Sequence, residues 1–63
     1  MVHIGQDDLD RFKKENREVR YVVYGILLVD TDVDVNQLRD YVTDITVYGI
    51  VRAPKEVKQQ YRL

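Results

Sequence analysis

The sequence predicts an α/β domain in the order helix, strand, helix, strand, helix. Three observations lead to this class: a β-branched apolar stretch, an acidic turn before an amphipathic segment, and a four-residue motif that occurs twice. With 63 residues the chain makes one domain, near the lower size limit for independent folding. We divide it into an N-terminal helix with its lead-in (1–19), a first strand-plus-helix repeat (20–44) and a second repeat (45–63).

The N-terminal segment 6–17 favours a helix. Asp7 and Asp8 stand where acidic side chains complement the positive end of a helix. Leu9 and Phe12 form a narrow apolar stripe, and the rest of the segment is polar. We therefore expect a helix that lies on the surface of the domain and buries little.

The stretch 20–29 predicts a strand, because β-branched and aromatic residues dominate it. Alternation divides these residues between two faces, and both faces are apolar. One face has Tyr21, Val23, Gly25, Leu27 and Val29, and the other has Val22, Tyr24, Ile26 and Leu28. Strands of this kind are usually central and covered on both sides.

A second helix is predicted at 35–43, where apolar residues recur at helical spacing. Asp34 precedes it as an N-cap, with Gln37 in the capping-box position. A second strand, 45–52, follows. Pro54 then opens a last helix at its first position, with Val57 and Tyr61 on the inner stripe.

The motif Val-Tyr-Gly-Ile at 23–26 recurs 24 residues later at 47–50. Each copy lies in a predicted strand that is followed by a turn and an amphipathic helix. The period resembles that of strand-plus-helix solenoid repeats, such as leucine-rich repeats, in architecture only. The sequence thus predicts a repeat-like core.

Two strands from one chain form a marginal sheet in water, so we expect a second copy to complete it. The predicted assembly is a homodimer or a higher homo-oligomer. Glycine within a strand marks a close approach, here of an aromatic neighbour or of a ligand. The residues predicted for the interface are Tyr21, Val22, Tyr24, Gly25, Ile26, Leu28, Tyr48, Gly49 and Ile50.

Composition excludes several classes of protein. The chain has no cysteine, so it has no disulfide and no thiolate zinc site. Its formal net charge of −1 gives no overall attraction to nucleic acid or to an anionic membrane. The N-terminal residues lack the features of a signal peptide, and no apolar run is long enough to span a membrane. We expect a cytoplasmic protein with no membrane partner.

No arrangement for catalysis is present. His3 is the only histidine, and neither a P-loop nor a dinucleotide-binding motif occurs. We predict that the chain is not an enzyme and has no cofactor. A weak divalent-metal site at Asp30, Asp32 and Asp34 is the alternative to a turn whose carboxylates cap backbone amides.

The function predicted from these features is a small self-associating interaction or adaptor module with a possible protein partner. The alternative is a small dimeric DNA-binding regulator that contacts phosphates through the basic C-terminal helix. The residues of this alternative are Arg52, Lys55, Lys58 and Arg62. The segment 49–57 resembles the strand–Pro–Lys–Glu–helix segment of the swapped-hairpin transition-state regulators, and this resemblance implies dimerisation and DNA binding.

Overall fold

The computed structural model describes residues 1–63 as three strands alternating with three helices. The elements are β1 (Val2–Ile4), α1 (Gln6–Glu15), β2 (Val19–Val29), α2 (Val35–Tyr41), β3 (Val42–Arg52) and α3 (Lys55–Tyr61). The strands form one parallel sheet in the order β1-β2-β3. Each crossover moves one strand in the same direction, which places the helices on one face of the sheet. There α1 contacts α2, and α2 contacts α3. The predicted α/β class is confirmed.

Strand β1 was not predicted. Its residues Val2, His3 and Ile4 pair with Leu27, Leu28 and Val29 of β2. Ile4 is fully buried, and its carbonyl oxygen accepts a 3.0 Å hydrogen bond from the amide of Asp30. The expectation that a single chain supplies only two strands is therefore wrong, because pairing with β2 orders a segment too short to be recognised by its own pattern.

Three helix boundaries differ from the prediction: the ends of α1 and α2 and the start of α3. Helix α1 ends before Arg17 because Asn16 takes a left-handed conformation, with φ 50°, and closes the last turn. Pro54 is the N-cap of α3, with φ −56° and ψ 149°, rather than its first helical residue. Strand β3 begins directly after α2, three residues earlier than predicted.

Polar side chains join the starts of α1 and α2. Asp34 caps α2 as predicted, accepting hydrogen bonds from the amides of Asn36 and Gln37. The Gln37 side chain does not complete a capping box; its Oε1 accepts from Gln6 Nε2 at 2.8 Å instead. Gln6 Oε1 in turn accepts from the amide of Asp34 at 3.0 Å. These contacts hold the two helix starts side by side.

The core lies between the sheet and the helix layer. Helix α1 contributes Leu9 and Phe12, which are 0% and 3% exposed. The expectation that α1 buries little is wrong, because its narrow stripe is completely covered. The other buried residues are Ile4, Val23, Leu27, Val29, Val33, Leu38, Val42, Ile45 and Val57.

The two copies of Val-Tyr-Gly-Ile lie side by side, since 23–26 of β2 pair residue for residue with 47–50 of β3. Gly25 and Gly49 face each other with φ of +119° and +148°. L-residues rarely adopt these angles, and a Cβ on Gly49 would overlap the carbonyl oxygen of Gly25. Around a Cβ on Gly25 no atom lies within 4 Å. The backbone thus explains these glycines, and neither an aromatic neighbour nor a ligand is needed.

None of the helices has the length and apolar character required to cross a membrane.

Candidate nucleic-acid interface

The four basic residues predicted for phosphate contact follow one another from the end of β3 through α3. Arg52 is the last residue of β3, and Lys55 is the first of α3. Lys58 lies one turn later, and Arg62 ends the helix in a left-handed conformation with φ 57°. All four side chains are exposed. None takes part in an ion pair, so their charges are available to an anion.

Tyr61 fixes the position of this basic segment. Its hydroxyl group donates toward the carbonyl oxygens of Val42 and Leu38, at 2.7 Å and 3.2 Å. Burial raises the pKa of Tyr61 to about 12, so the phenol remains a donor even at a pH at which a free tyrosine ionises. These bonds hold the end of α3 against α2 and the start of β3.

A second group of cations surrounds the end of α1 and the start of β2. Lys13, Lys14 and Arg20 are exposed there, and Arg17 is only weakly paired, 3.9 Å from Glu15. This group of cations is visible in the sequence, but no sequence motif indicates a binding role for it. Variants of these residues can therefore serve as controls for variants of the cations on α3.

The opposite charge collects where the parallel strands end. His3, Asp7, Asp8, Asp30 and Asp32 line a polar groove of about 310 Å³, together with Gly5 and Gln6. His3 Nε2 lies 2.6 Å from Asp30 Oδ1, and this hydrogen bond, helped by the charge of Asp30, raises the pKa of His3. A groove with this many carboxylates repels phosphate.

The three aspartates of the alternative metal site have separate roles. Asp30 contacts His3, and Asp34 caps α2. Asp32 lines the polar groove. No group of three or more potential ligands is arranged to hold a metal ion. The structure therefore does not bring these carboxylates together as a site.

The face of the sheet away from the helices is apolar and open. Val22 is 52% exposed, Tyr24 78%, Tyr48 60% and Ile50 55%. Tyr24 and Tyr48 stack there, with ring centroids 5.0 Å apart and planes 12° from parallel. We call this surface the outer face; its apolar residues are Val22, Tyr24, Ile26, Leu28, Tyr48 and Ile50.

Three residues predicted for the interface are not on the outer face. Tyr21 packs against the core, and burial is the main cause that raises its pKa. Gly25 and Gly49 share the inner side by strand alternation. The expectation that both faces of β2 are covered fails for one chain, because every helix lies on the inner side.

Residues 1–58 match the Ribbon-Helix-Helix transcriptional regulator family. The match covers most of the chain and includes Arg52, Lys55 and Lys58. The chain belongs to this family. No curated protein and no solved structure is significantly similar to it.

This membership corrects the predicted function. The family is one of transcriptional regulators, so the prediction of a protein-interaction or adaptor module is wrong. The match supports the alternative, a DNA-binding regulator. It also agrees with the expectation of a protein that is not an enzyme.

The element order of the structure differs from the one that the family's name describes. The family is named for a ribbon with two helices, whereas in this structure a strand precedes every helix. It is also a different family from the swapped-hairpin regulators that segment 49–57 resembles. The assignment to the family therefore rests on the sequence match, and the structure adds the positions of the exposed cations.

Proposed function

We propose that this chain is a DNA-binding transcriptional regulator that contacts duplex phosphates through Arg52, Lys55, Lys58 and Arg62. The observation that carries the proposal is the family match, which spans the first three of these residues. Their exposure and their freedom from ion pairs support it. No catalytic step and no cofactor is part of the proposed function.

Local charge explains how a chain with a net charge of −1 can bind DNA. Cations that contact phosphates release condensed counterions, so binding depends on the local patch and weakens as salt is added. The carboxylate-rich groove near His3 repels the same phosphates.

We also propose that the regulator works as a homodimer or higher homo-oligomer that completes the sheet. The apolar outer face and the unpaired edge of β3 support self-association. The side-by-side copies of Val-Tyr-Gly-Ile support a 24-residue strand-plus-helix repeat within each subunit. Two copies double the number of basic segments that one duplex contacts. We propose the cytoplasm as the place of action.

The test is binding to labelled duplex DNA between 50 and 200 mM salt, measured by fluorescence anisotropy. The variant K55Q/K58Q/R62Q removes three cations but leaves the core unchanged. The slope of log K against log salt should decrease in magnitude by about 0.9 for each lost phosphate contact, which is about 2.7 for one subunit and about 5.4 when both subunits of a dimer contact the duplex.

The matched control is K13Q/K14Q, which removes exposed cations from α1. We expect it to leave the salt slope within error of the native value. Equal losses in both variants would place the phosphate contacts elsewhere or spread them over the whole surface. Absence of any duplex binding at 50 mM salt would overturn the proposed function.

A further inference from the structure

The outer face of the sheet is apolar but uncovered. Tyr24, Tyr48 and Ile50 are 78%, 60% and 55% exposed there. Burial of such side chains is favourable, and a contiguous apolar patch marks a contact with another molecule. Pairing at an edge of the sheet adds strands beside β3 and leaves both faces as they are. A separate contact is therefore needed to bury the outer face.

We propose that the outer faces of two copies pack against each other across a twofold axis that runs along the strands, between β2 and β3. In this arrangement β2 of one copy lies over β3 of the partner, and β3 lies over the partner's β2. The inference goes beyond the completion of the sheet proposed above, because it concerns a face of the sheet rather than an edge.

The internal repeat makes this face complementary to itself. Residues that are 24 positions apart in the sequence lie side by side in β2 and β3, and the twofold axis exchanges them. Tyr24 therefore lies over the partner's Tyr48, and Ile26 lies over the partner's Ile50. Apolar side chains meet apolar side chains along the middle of the strands, as in a two-layered sandwich.

Charge complementarity indicates that the molecule on this face is a second copy. Arg20 and Asp44 are also related by the 24-residue repeat, but their charges are opposite. Both are exposed, both lie on the outer face by alternation, and neither forms an ion pair within its own chain. The axis puts Arg20 over the partner's Asp44 and Asp44 over the partner's Arg20, so the attraction occurs twice.

A twofold axis across the strands is the other way to bring two outer faces together. It would put Asp44 over the partner's Arg52, and Arg20 over the partner's Leu28. Arg52 would then be held in the subunit contact and lost to phosphates. An axis along the strands leaves Arg52 at the end of the face. This choice of axis rests on the proposed function, whereas the choice of face does not.

The size of the outer face predicts a weak contact. Strands of 11 residues, two across with β1 at one end, give a face of roughly 30 Å by 12 Å in projection. With its side chains, the pair of faces buries on the order of 1,000 Å² in total, at the lower end for specific interfaces. We therefore expect a dissociation constant of about 0.1 mM, so that the outer face of the dilute chain is free.

Charge reversal tests the face and the axis, with association measured by sedimentation equilibrium between about 10 µM and 1 mM chain. R20D and D44R each place like charges over each other twice, and we expect each to weaken association roughly tenfold. The double variant R20D/D44R restores opposite charges, and its affinity should be within about threefold of the native value. R39D and D40R carry the same charge changes on α2, away from the outer face, and should leave association unchanged.

Removal of the rings tests the apolar part of the contact. Y24S/Y48S changes no charge, and we expect it to weaken association at least tenfold, since the two largest exposed side chains of the face are lost. Its salt-dependent binding to duplex DNA should match that of the native chain. Circular dichroism monitors folding, and the charge series gives a second readout if the variant is unfolded.

Three results would overturn the inference. The first is a native chain that shows no association up to about 1 mM. The second is association that R20D, D44R and Y24S/Y48S leave unchanged, which would place it at another surface. The third is a Y24S/Y48S variant that loses duplex binding but associates normally, which would place DNA on the outer face.

Two further outcomes separate the parts of the argument. Restoration of association by D44R/R52D instead of R20D/D44R would overturn the axis along the strands in favour of the axis across them. Absence of salt-dependent DNA binding, with the response to R20D and D44R as expected, would overturn the proposed function and support the contact between outer faces.

Discussion

The two faces of the sheet use the same strands and nearly the same residue types, yet only one is covered. Val23 and Leu27 on the inner face are 2% and 0% exposed, whereas their neighbours Val22 and Tyr24 on the outer face are 52% and 78% exposed. The difference comes from the crossovers, which place every helix on one side. Apolar composition identifies a surface that burial would stabilise. The topology of the chain determines whether the same molecule buries it.

The sharpest test of this comparison exchanges one large side chain on each face for alanine. Leu27→Ala leaves a cavity in the core and should lower the free energy of unfolding by about 2–5 kcal/mol. Ile26→Ala on the outer face should lower it by less than about 1 kcal/mol. Urea unfolding measures both values. Similar losses would mean that the outer face is as well covered as the core.

A second test concerns the paired glycines. Gly49→Ala combines an unfavourable φ of +148° with a clash against the Gly25 carbonyl, and should lower the free energy of unfolding by about 1–3 kcal/mol. Gly25→Ala meets open space and carries only the conformational cost, about 1 kcal/mol. Thermal or urea unfolding ranks the two variants. The reverse order would show that β2 and β3 do not pair in the described register.

A third test compares tyrosines on the two sides. Tyr61→Phe removes the hydrogen bonds to Leu38 and Val42 and should lower the free energy of unfolding by about 1–2 kcal/mol. Tyr48→Phe on the outer face removes a hydroxyl group with no hydrogen bond and should change little. An effect of Tyr48→Phe as large as that of Tyr61→Phe would contradict this difference.

The pKa of Tyr61 gives the same test a pH dependence. Because burial raises this pKa to about 12, the stabilisation is complete below the unfolded value of 10.0 and is lost as the pH rises toward 12. Absorbance at about 295 nm follows tyrosinate formation. The pKa of Tyr21 is raised as well, so Tyr61 should titrate as the last tyrosine of the native chain, and this last step should be missing from Tyr61→Phe.

The substitution with the smallest expected effect on stability is His3→Gln, at the end of the outer face. Asp30 raises its pKa above 6.5, so its stabilisation is fully present below pH 6.5 and is lost as the pH rises through the folded pKa. His3→Gln should therefore lower the melting temperature slightly at pH 5.5 and hardly at all at pH 8.5. An NMR titration of His3 with a midpoint at or below 6.5 would contradict this.

The sequence predicts well the parts of the fold that depend on local patterns. The apolar run of β2, the helical spacing of α2 and the cap at Asp34 are all present in the structure. Each of these signals arises from a residue and its neighbours within a few positions, which is the range over which alternation and capping act.

The remaining features depend on contacts between distant residues. Strand β1 forms because Val2–Ile4 meets the end of β2, more than twenty residues away. The open outer face follows from the handedness and direction of the crossovers, and the glycines follow from the approach of one backbone to another. For the candidate site, the sequence indicates the basic residues, but the absence of ion pairs around them is visible only in three dimensions.

The stacked rings of Tyr24 and Tyr48 have a practical consequence. The chain contains five tyrosines and no tryptophan, so its ultraviolet emission comes from tyrosine alone. Two of the five lie in water on the surface where subunits are proposed to meet. The unlabelled protein therefore carries its own optical reporter, whose intensity and polarisation should change with concentration as molecules associate.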